Sequence, residues 1–479
     1  MKGARKYTKA MAITPDNTPN VKRSNILMQY LRSFIISFQR FVFACKIVGL
    51  TLIVSLFLHG LARAQSGRIP LQLNGQPYFP VGVIGAPLDL LRTTANGQFD
   101  FSPLFRELTG AGMNTFFPLF LASEEHNTSH PASREFLSYG CQARQADSKS
   151  GIGALRQSGL AVILPTWAEV EEPNKILLNR PIDETVAVPQ LQAIKNCYRG
   201  IPILGYQTYD DAPIYGGVGV PLQKMWQFKR LTKQYSSTPN PYVFAVYPTA
   251  DEVSASTGNT TPGLVNLLKA HLPSYSTPQV ADNIGVYRYP IPNRPAADVG
   301  KAIDGTQNSQ SSTLRPLVVL QGFGWHDLTA SSTERRPTAQ ETYFMAFQAL
   351  VHRAGGVMWW GANFIESSSE LWTAIKLTSW AIKALSPWLV QPDSPVSVQA
   401  PGVEALLKAP VDGYSLLIVV NPNSTPVQTQ ITLTAPKPYT IVENLGWGDP
   451  PLVTQGRFTH RFEGYGVRVF ALRFADTPR

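Results

Sequence analysis

The chain has 479 residues, a formal charge of +10 and a sequence pI near 9.4. Hydrophobic residues make up 44% and charged residues only 15%, which excludes global disorder and leaves room for two or three domains. The basic balance suggests nucleic acid as a partner, but residues 1–64 hold five Lys and five Arg against one acid, Asp16, while residues 65–479 hold 32 bases and 31 acids. A nearly neutral body has no electrostatic footprint for a phosphate backbone, so no nucleic-acid partner is expected.

The excess charge flanks a short apolar run, Lys46 to Leu58, followed by Ala62-Arg63-Ala64, a small-residue cleavage pattern. The run is shorter than the ~20 residues of a spanning helix. Residues 1–64 therefore read as a leader for export, either cleaved or kept as an anchor, and a start at Met28 is compatible with both. Any contact with a membrane runs through this leader alone. Cys45 lies within it. Cys141 and Cys197 remain in the body, where either one disulfide or two buried thiols is chemically permitted. No zinc spacing occurs; His126 and His130 lie four apart in a Pro-bearing loop without an HExxH frame, so no metal is expected.

Beyond the leader, short apolar runs alternate with helical patterns. Pro80-Val-Gly-Val-Ile-Gly-Ala86 reads as a buried strand, followed by a helix from Phe101 to Gly112. The next strand-like runs are 114–120, 161–167, 203–209, 242–247, 284–289, 317–323 and 356–360. Helical patterns between them end near Gly159 and cover 186–198, 221–235 and 262–271, with a weak one after 289. Thr338-Ala-Gln-Glu341 is a capping box opening a helix over 338–354, and a final helix covers 369–385. Eight continuous apolar strands alternating with helices predict a (β/α)8 barrel over 65–388. The alternative, a doubly wound open sheet, calls for a Gly-rich phosphate loop after strand one; Gly82-Val-Ile-Gly85 runs into Pro87 without GxGxxG.

From residue 389 to 479 the helical period disappears. Strand patterns at 403–407, 414–421, 427–433, 439–445 and 466–474, separated by Pro, Gly and Asn, predict a small antiparallel β-sandwich. Asn127 and Asn423 each open a glycosylation sequon, a common pattern that matters only in a eukaryotic secretory host.

In such a barrel chemistry sits at the C-terminal ends of the strands. Strand four ends in Tyr209-Asp210-Asp211-Ala212-Pro213, two acids suited to acid/base work or to capping a turn. Strand three ends in Trp167 followed by Glu169, Glu171 and Glu172, a sugar subsite or a solvated acidic loop. Strand five ends near Asp251 and Glu252, which suit a helix start. Strand seven ends in Gln321-Gly-Phe-Gly-Trp325-His326-Asp327, and strand eight in Trp359-Trp360-Gly-Ala-Asn363-Phe-Ile-Glu366. Indole faces stack on the CH faces of sugars, and Gln, His and Asn read hydroxyls, so this end suits a neutral polyol. Adjacent Trp359 and Trp360 are expected to divide between the helix layer and the barrel interior. No G-x-S-x-G elbow is present, and nothing calls for a cofactor.

Several stretches resemble clan A glycoside hydrolases and their barrel relatives. Leu73-Asn-Gly-Gln-Pro-Tyr-Phe-Pro-Val-Gly82 is similar to the "NGKPFFPIG" of their first strand. Gly205-Tyr206 through Asp210-Asp211 resembles a "GWYLADEP" stretch whose Glu is the acid/base. Leu320-Gln-Gly-Phe, Arg336-Pro-Thr338, Glu341 and His352-Arg-Ala-Gly-Gly356 resemble "LQAF…RPT…E…GAKGI". The resemblance covers roughly residues 70–475, C-terminal β-domain included. It implies Asp211 as acid/base, one methylene shorter than Glu. It also implies a nucleophilic Glu at the end of strand seven, where this chain has Gln321, an amide that cannot act as a carboxylate nucleophile.

The second carboxylate must then come from Asp210, Asp327 or Glu366. Retention needs two carboxyls about 5–5.5 Å apart and inversion roughly 6.5–9.5 Å, a separation that a loop acid such as Glu366 suits. The leading expectation is an exported hydrolase of a poly- or oligosaccharide, with Asp211, Asp210 and Glu366 catalytic. Trp167, Tyr209, Gln321, Trp325, His326, Trp360 and Asn363 would bind the sugar. The alternative is a non-catalytic carbohydrate-binding or envelope scaffold protein on a degenerate barrel, which Gln321 favours.

Overall fold

The computed structural model describes residues 68–123, 128–166, 180–209, 220–248, 274, 280–309, 313–329, 332–435, 439–445 and 451–474. The leader, Trp167, the acids at 169–172, Asp210, Asp211, Asp251, Glu252 and the helix expected over 262–271 lie outside the described residues.

Eight parallel strands close a barrel in chain order: β1 (Val81–Ile84), β2 (Thr115–Phe117), β3 (Ala161–Leu164), β4 (Ile203–Gln207), β5 (Tyr242–Pro248), β6 (Asn283–Arg288), β7 (Leu317–Gln321) and β8 (Gly356–Trp360), with β8 pairing back onto β1. The strands are continuous apolar runs because both faces are buried. Successive side chains alternate between two cores. Ile84, Phe117, Ile163, Phe244, Val319 and Met358 fill the interior. Val83, Phe116, Val162, Val243, Leu320 and Trp359 face the helix layer. Gly205 leaves room for the Phe244 ring, whose edge lies 2.6 Å from where a Cβ would stand.

The N-terminal end is plugged by a hairpin, Leu71–Leu73 against Gln76–Tyr78, turned on Asn74 and Gly75, both at positive φ. Leu71 is fully buried and joins the interior core, while the Tyr78 hydroxyl donates to the Asn114 carbonyl at 2.7 Å. The C-terminal ends of the strands form the opposite, mouth end of the barrel, where the chain after β3, β4 and β5 lies largely outside the described residues.

The helix layer includes α1 (Ser102–Gly110), α2 (Ser138–Arg144), α3 (Gly151–Ser158), α4 (Glu184–Cys197), α5 (Leu222–Tyr235), α6 (Asp298–Ser309), α7 (Ala339–Val351) and α8 (Glu370–Leu389). α3 stops at Gly159, left-handed at φ 71°, and α7 opens on the Thr338–Glu341 capping box read in the sequence. The stretch before Gly159 holds α2 and α3 rather than one helix. His130 caps the turn preceding them, its Nδ1 accepting from Ala132 N at 3.1 Å. α8 runs past Pro387 to Leu389 because Trp388 is anchored: it is buried, and its Nε1 donates to Tyr414 O at 2.7 Å. A disulfide joins Cys141 of α2 to Cys197, the last residue of α4, deciding between the two readings of these cysteines.

Two antiparallel sheets follow. One holds β9 (Ser397–Gln399), β12 (Val427–Thr434) and β14 (Arg457–Phe462). The other holds β10 (Glu404–Val411), β11 (Tyr414–Val420), β15 (Val467–Phe474) and β13 (Tyr439–Asn444). Leu417, Val419, Ile431 and Phe470 form the core between the sheets. Leu416, Ile418 and Val420, on the opposite face of β11, join the core of the barrel's helix layer. Burial on both faces explains the unbroken apolar run of β11. The sequence pattern missed β9 and β14. In β14 the inward face is Phe458, His460 and Phe462, with a polar residue at its centre, between Arg457, Thr459 and Arg461. The architecture is a (β/α)8 barrel followed by an antiparallel sandwich.

Candidate functional site

The ends of β6, β7 and β8 bring six aromatic rings together. Tyr287 and Tyr289 stack at 5.0 Å with 16° between planes, and Tyr289 stacks on Trp360 at 5.4 Å and 17°. Phe323 meets Tyr289, Trp360 and Trp325 edge to face at 5.2, 5.0 and 5.1 Å. Phe364 closes the row against Trp360 at 6.0 Å. Phe323 is fully buried; Tyr287, Tyr289, Trp325, Trp360 and Phe364 are half-buried. Strand parity places them: Tyr287 and Tyr289 are two apart and share one face. Trp359 and Trp360 divide as expected, Trp359 fully buried in the helix layer and Trp360 at the mouth. Trp360 keeps only part of the platform role expected of it, because Tyr289 lies flat on one of its faces.

Gln321 has a different part from the one expected. It is fully buried, and its carbonyl accepts from Ile291 N at 3.0 Å. Its amide donates to Ile291 O at 2.8 Å and Phe323 O at 3.1 Å. Both N–H donors are engaged by backbone carbonyls, so Gln321 ties the chain after β6 to the end of β7 instead of reading sugar hydroxyls. A carboxylate has no donor for either carbonyl, which is the physical reason an amide suits this position.

Two of the three candidate second carboxylates are described, and one arginine holds both. Asp327, in the short helix Trp325–Leu328, accepts from Arg336 Nε at 3.1 and 2.9 Å and from Nη2 at 2.7 Å. It also accepts from Gly324 N at 2.7 Å, and its side chain is 5% exposed. Pinned this way, Asp327 is a structural anchor. Glu366 pairs with Arg336 Nη2 at 3.1 Å and stands at the rim, 63% exposed. His326 is exposed. Its Nδ1 donates to the Glu334 carbonyl at 2.8 Å, and its Nε2 lies 3.1 Å from Asp327.

Tyr209 does not line the mouth. It is buried with the helix layer, 5.8 Å from Phe228, with the Lys224 ammonium 5.3 Å from its ring centre. β4 ends at Gln207, so the alternation that placed Tyr209 had already stopped. Asn363 is buried against Gly85, where a Cβ would come within 3.0 Å of its Oδ1. The sequence reading missed Tyr287, Tyr289 and Phe323 as site residues. The Tyr-Arg-Tyr spacing at the end of strand six was the available signal.

No family model matches the sequence, and no curated protein does. Solved structures with a similar fold include an α-amylase from Geobacillus thermoleovorans complexed with acarbose (11% identity, 83% of this chain and 98% of that one, TM-score 0.48). Others are an α-amylase from H. orenii (10%, 82% and 99%, TM-score 0.46) and a glycoside hydrolase family 30 subfamily 8 xylanase from Clostridium acetobutylicum (11%, 85% and 97%, TM-score 0.44). The likeness to these proteins is one of fold.

Proposed function

We propose that this is an exported carbohydrate-binding barrel protein, with an aromatic mouth at the ends of β6–β8, that does not hydrolyse by double displacement. The carrying observation is Gln321. Where the resemblance expects a nucleophile, the chain has a buried amide with both donors on backbone carbonyls. The half-buried rings of Trp325, Trp360 and Tyr287 favour a sugar ligand, because partly exposed aromatic walls with a few polar groups suit CH faces and hydroxyls. Export is supported by the leader pattern and the Cys141–Cys197 bridge, since such bridges persist in oxidising compartments.

The test is a glycan panel scored for both binding and turnover. Binding without turnover, lost in Trp360→Ala, is expected. A second reading is single-displacement hydrolysis, with Asp211 as acid and Glu366 as base; the exposure of Glu366 at the rim favours it. Turnover that disappears in both Asp211→Asn and Glu366→Gln selects that reading and overturns the first.

A further inference from the structure

We propose that Arg336 anchors an acidic-sugar subsite at the rim of the mouth, and that Glu366 competes with the ligand's carboxylate for it. This rests on the carbohydrate-binding reading and narrows its ligand to a glycan containing a uronic acid.

The guanidinium is fixed from below. Its Nε and Nη2 lie on Asp327, whose side chain is 5% exposed and is itself held by Gly324 N. Asp327 thereby orients Arg336, whose Nη2, shared between the two acids, reaches the chain after β8. There Glu366 meets Nη2 at 3.1 Å, with its own side chain 63% exposed. An exposed ion pair of this kind is worth about 0–1 kcal/mol, so an incoming carboxylate displaces it at little cost. The exchange keeps two carboxylates on Arg336, those of Asp327 and the ligand in place of Asp327 and Glu366, and releases Glu366 into solvent.

The position of the fork identifies the ligand. Arg336 bridges the segments that follow β7 and β8, and Phe323 touches the Trp325 ring on one and the Trp360 ring on the other. A guanidinium carried on the same two segments as the half-buried indoles suits a sugar ring that presents a CH face and a carboxylate together. The neighbouring charges are otherwise engaged. Arg335 makes a two-point pair with Glu341 at 2.6 and 2.8 Å, Glu334 accepts from Asn293, and Asp89 accepts from Ser367 N and Oγ. His326 has both ring nitrogens facing Glu334 O and Asp327, so it adds no outward donor.

The experiment is calorimetric titration with an oligogalacturonate and with the same oligosaccharide after its carboxyls are reduced to alcohols, at low salt. The acid form is expected to bind about tenfold more tightly, the effect of one charge-assisted contact. In Arg336→Gln the acid-to-neutral ratio should fall to near one, and in Glu366→Gln it should rise several-fold. Arg336→Lys keeps the charge under Asp327 but loses the fork; it should keep the fold by thermal melt and lose most of the ratio. Equal binding of both forms by the wild type, or an unchanged ratio in Glu366→Gln, overturns the acidic subsite and leaves the carbohydrate-binding reading standing. Binding of neither form also overturns the acidic subsite, while the glycan panel decides the carbohydrate-binding reading separately.

Discussion

Restoring a carboxylate at the end of β7, by Gln321→Glu, separates two accounts of this barrel. If the amide is only a missing nucleophile, the change is mild and adds chemistry. If the amide holds the mouth together, the change is costly. At this fully buried position the wild-type amide donates to Ile291 O at 2.8 Å and Phe323 O at 3.1 Å. A protonated glutamic acid supplies one donor and orphans one carbonyl, at about 1–3 kcal/mol. An ionised one orphans both and places a buried charge against two carbonyl dipoles. The expected loss at pH 7 is about 3–5 kcal/mol.

The pH dependence has a definite sign. The carboxyl is near 4.3 when unfolded, and burial without a cation raises it in the folded protein. The folded variant then binds more protons than the unfolded one above that value, so its stability falls as pH rises through the window up to the folded pKa. Urea unfolding at pH 5 and pH 8, followed by the summed fluorescence of the nine tryptophans, should show a larger deficit against wild type at pH 8. A variant as stable as wild type at both pH values, with new retaining hydrolysis, would falsify the structural role given to this amide.

Other parts of the fold make separate predictions. Replacing Cys141 and Cys197 by Ala opens a bridge spanning 56 residues and should cost about 4 kcal/mol in the chain-entropy account, read as a drop in Tm that reductant reproduces in the wild type. At His352, burial alone would lower the imidazole pKa, but Glu404 and Asp304 outweigh it and raise the value. Its contribution is fully present below about pH 6.5 and is lost as pH rises through the folded value, so His352→Gln should flatten stability in that window. Burial, aided by Arg315 and opposed by Asp393, pushes Lys408 down to about 8. The unfolded lysine stays protonated to about 10.4, so wild-type stability should rise between pH 8 and that value. Lys408→Met should lose this rise and be as stable or more stable at pH 7, by up to about 3 kcal/mol. Asp393 keeps Arg353 at 2.5 Å, and urea midpoints at pH 7 and 10 decide the point.

The barrel was legible because its strands are buried on both faces and each reads as an apolar run. Local devices such as Thr338–Glu341 and Gly159 were legible because their partners lie within four residues. What escaped the sequence depends on where strands stop or on partners far away. Tyr209 follows a strand that ends at Gln207, so its side chain turns to Phe228 and not to the mouth. Glu366 was readable as an acid after β8, but its arginine lies 30 residues earlier. Gln321 was readable as an amide, and its partner is the backbone of Ile291, which no side-chain pattern marks. β14 escaped because its inward face carries a histidine, His460, between Phe458 and Phe462.

The amide and the aromatic row belong to one arrangement. Tyr289 is two residues before Ile291, and its ring lies between Tyr287 and Trp360. Gln321 holds Ile291 through both its N–H and its C=O, and holds Phe323, whose ring meets Tyr289, Trp360 and Trp325. The side chain that would attack a glycosidic bond in a retaining enzyme instead fixes the two backbone segments that carry the rings. A carboxylate cannot do both, because attack requires an open, ionised oxygen and the arrangement requires two N–H donors. The absence of a carboxylate at the end of β7 and the organisation of the aromatic row therefore both rest on the same residue. That coupling is the physical argument for the proposal that this barrel binds a ligand without double displacement.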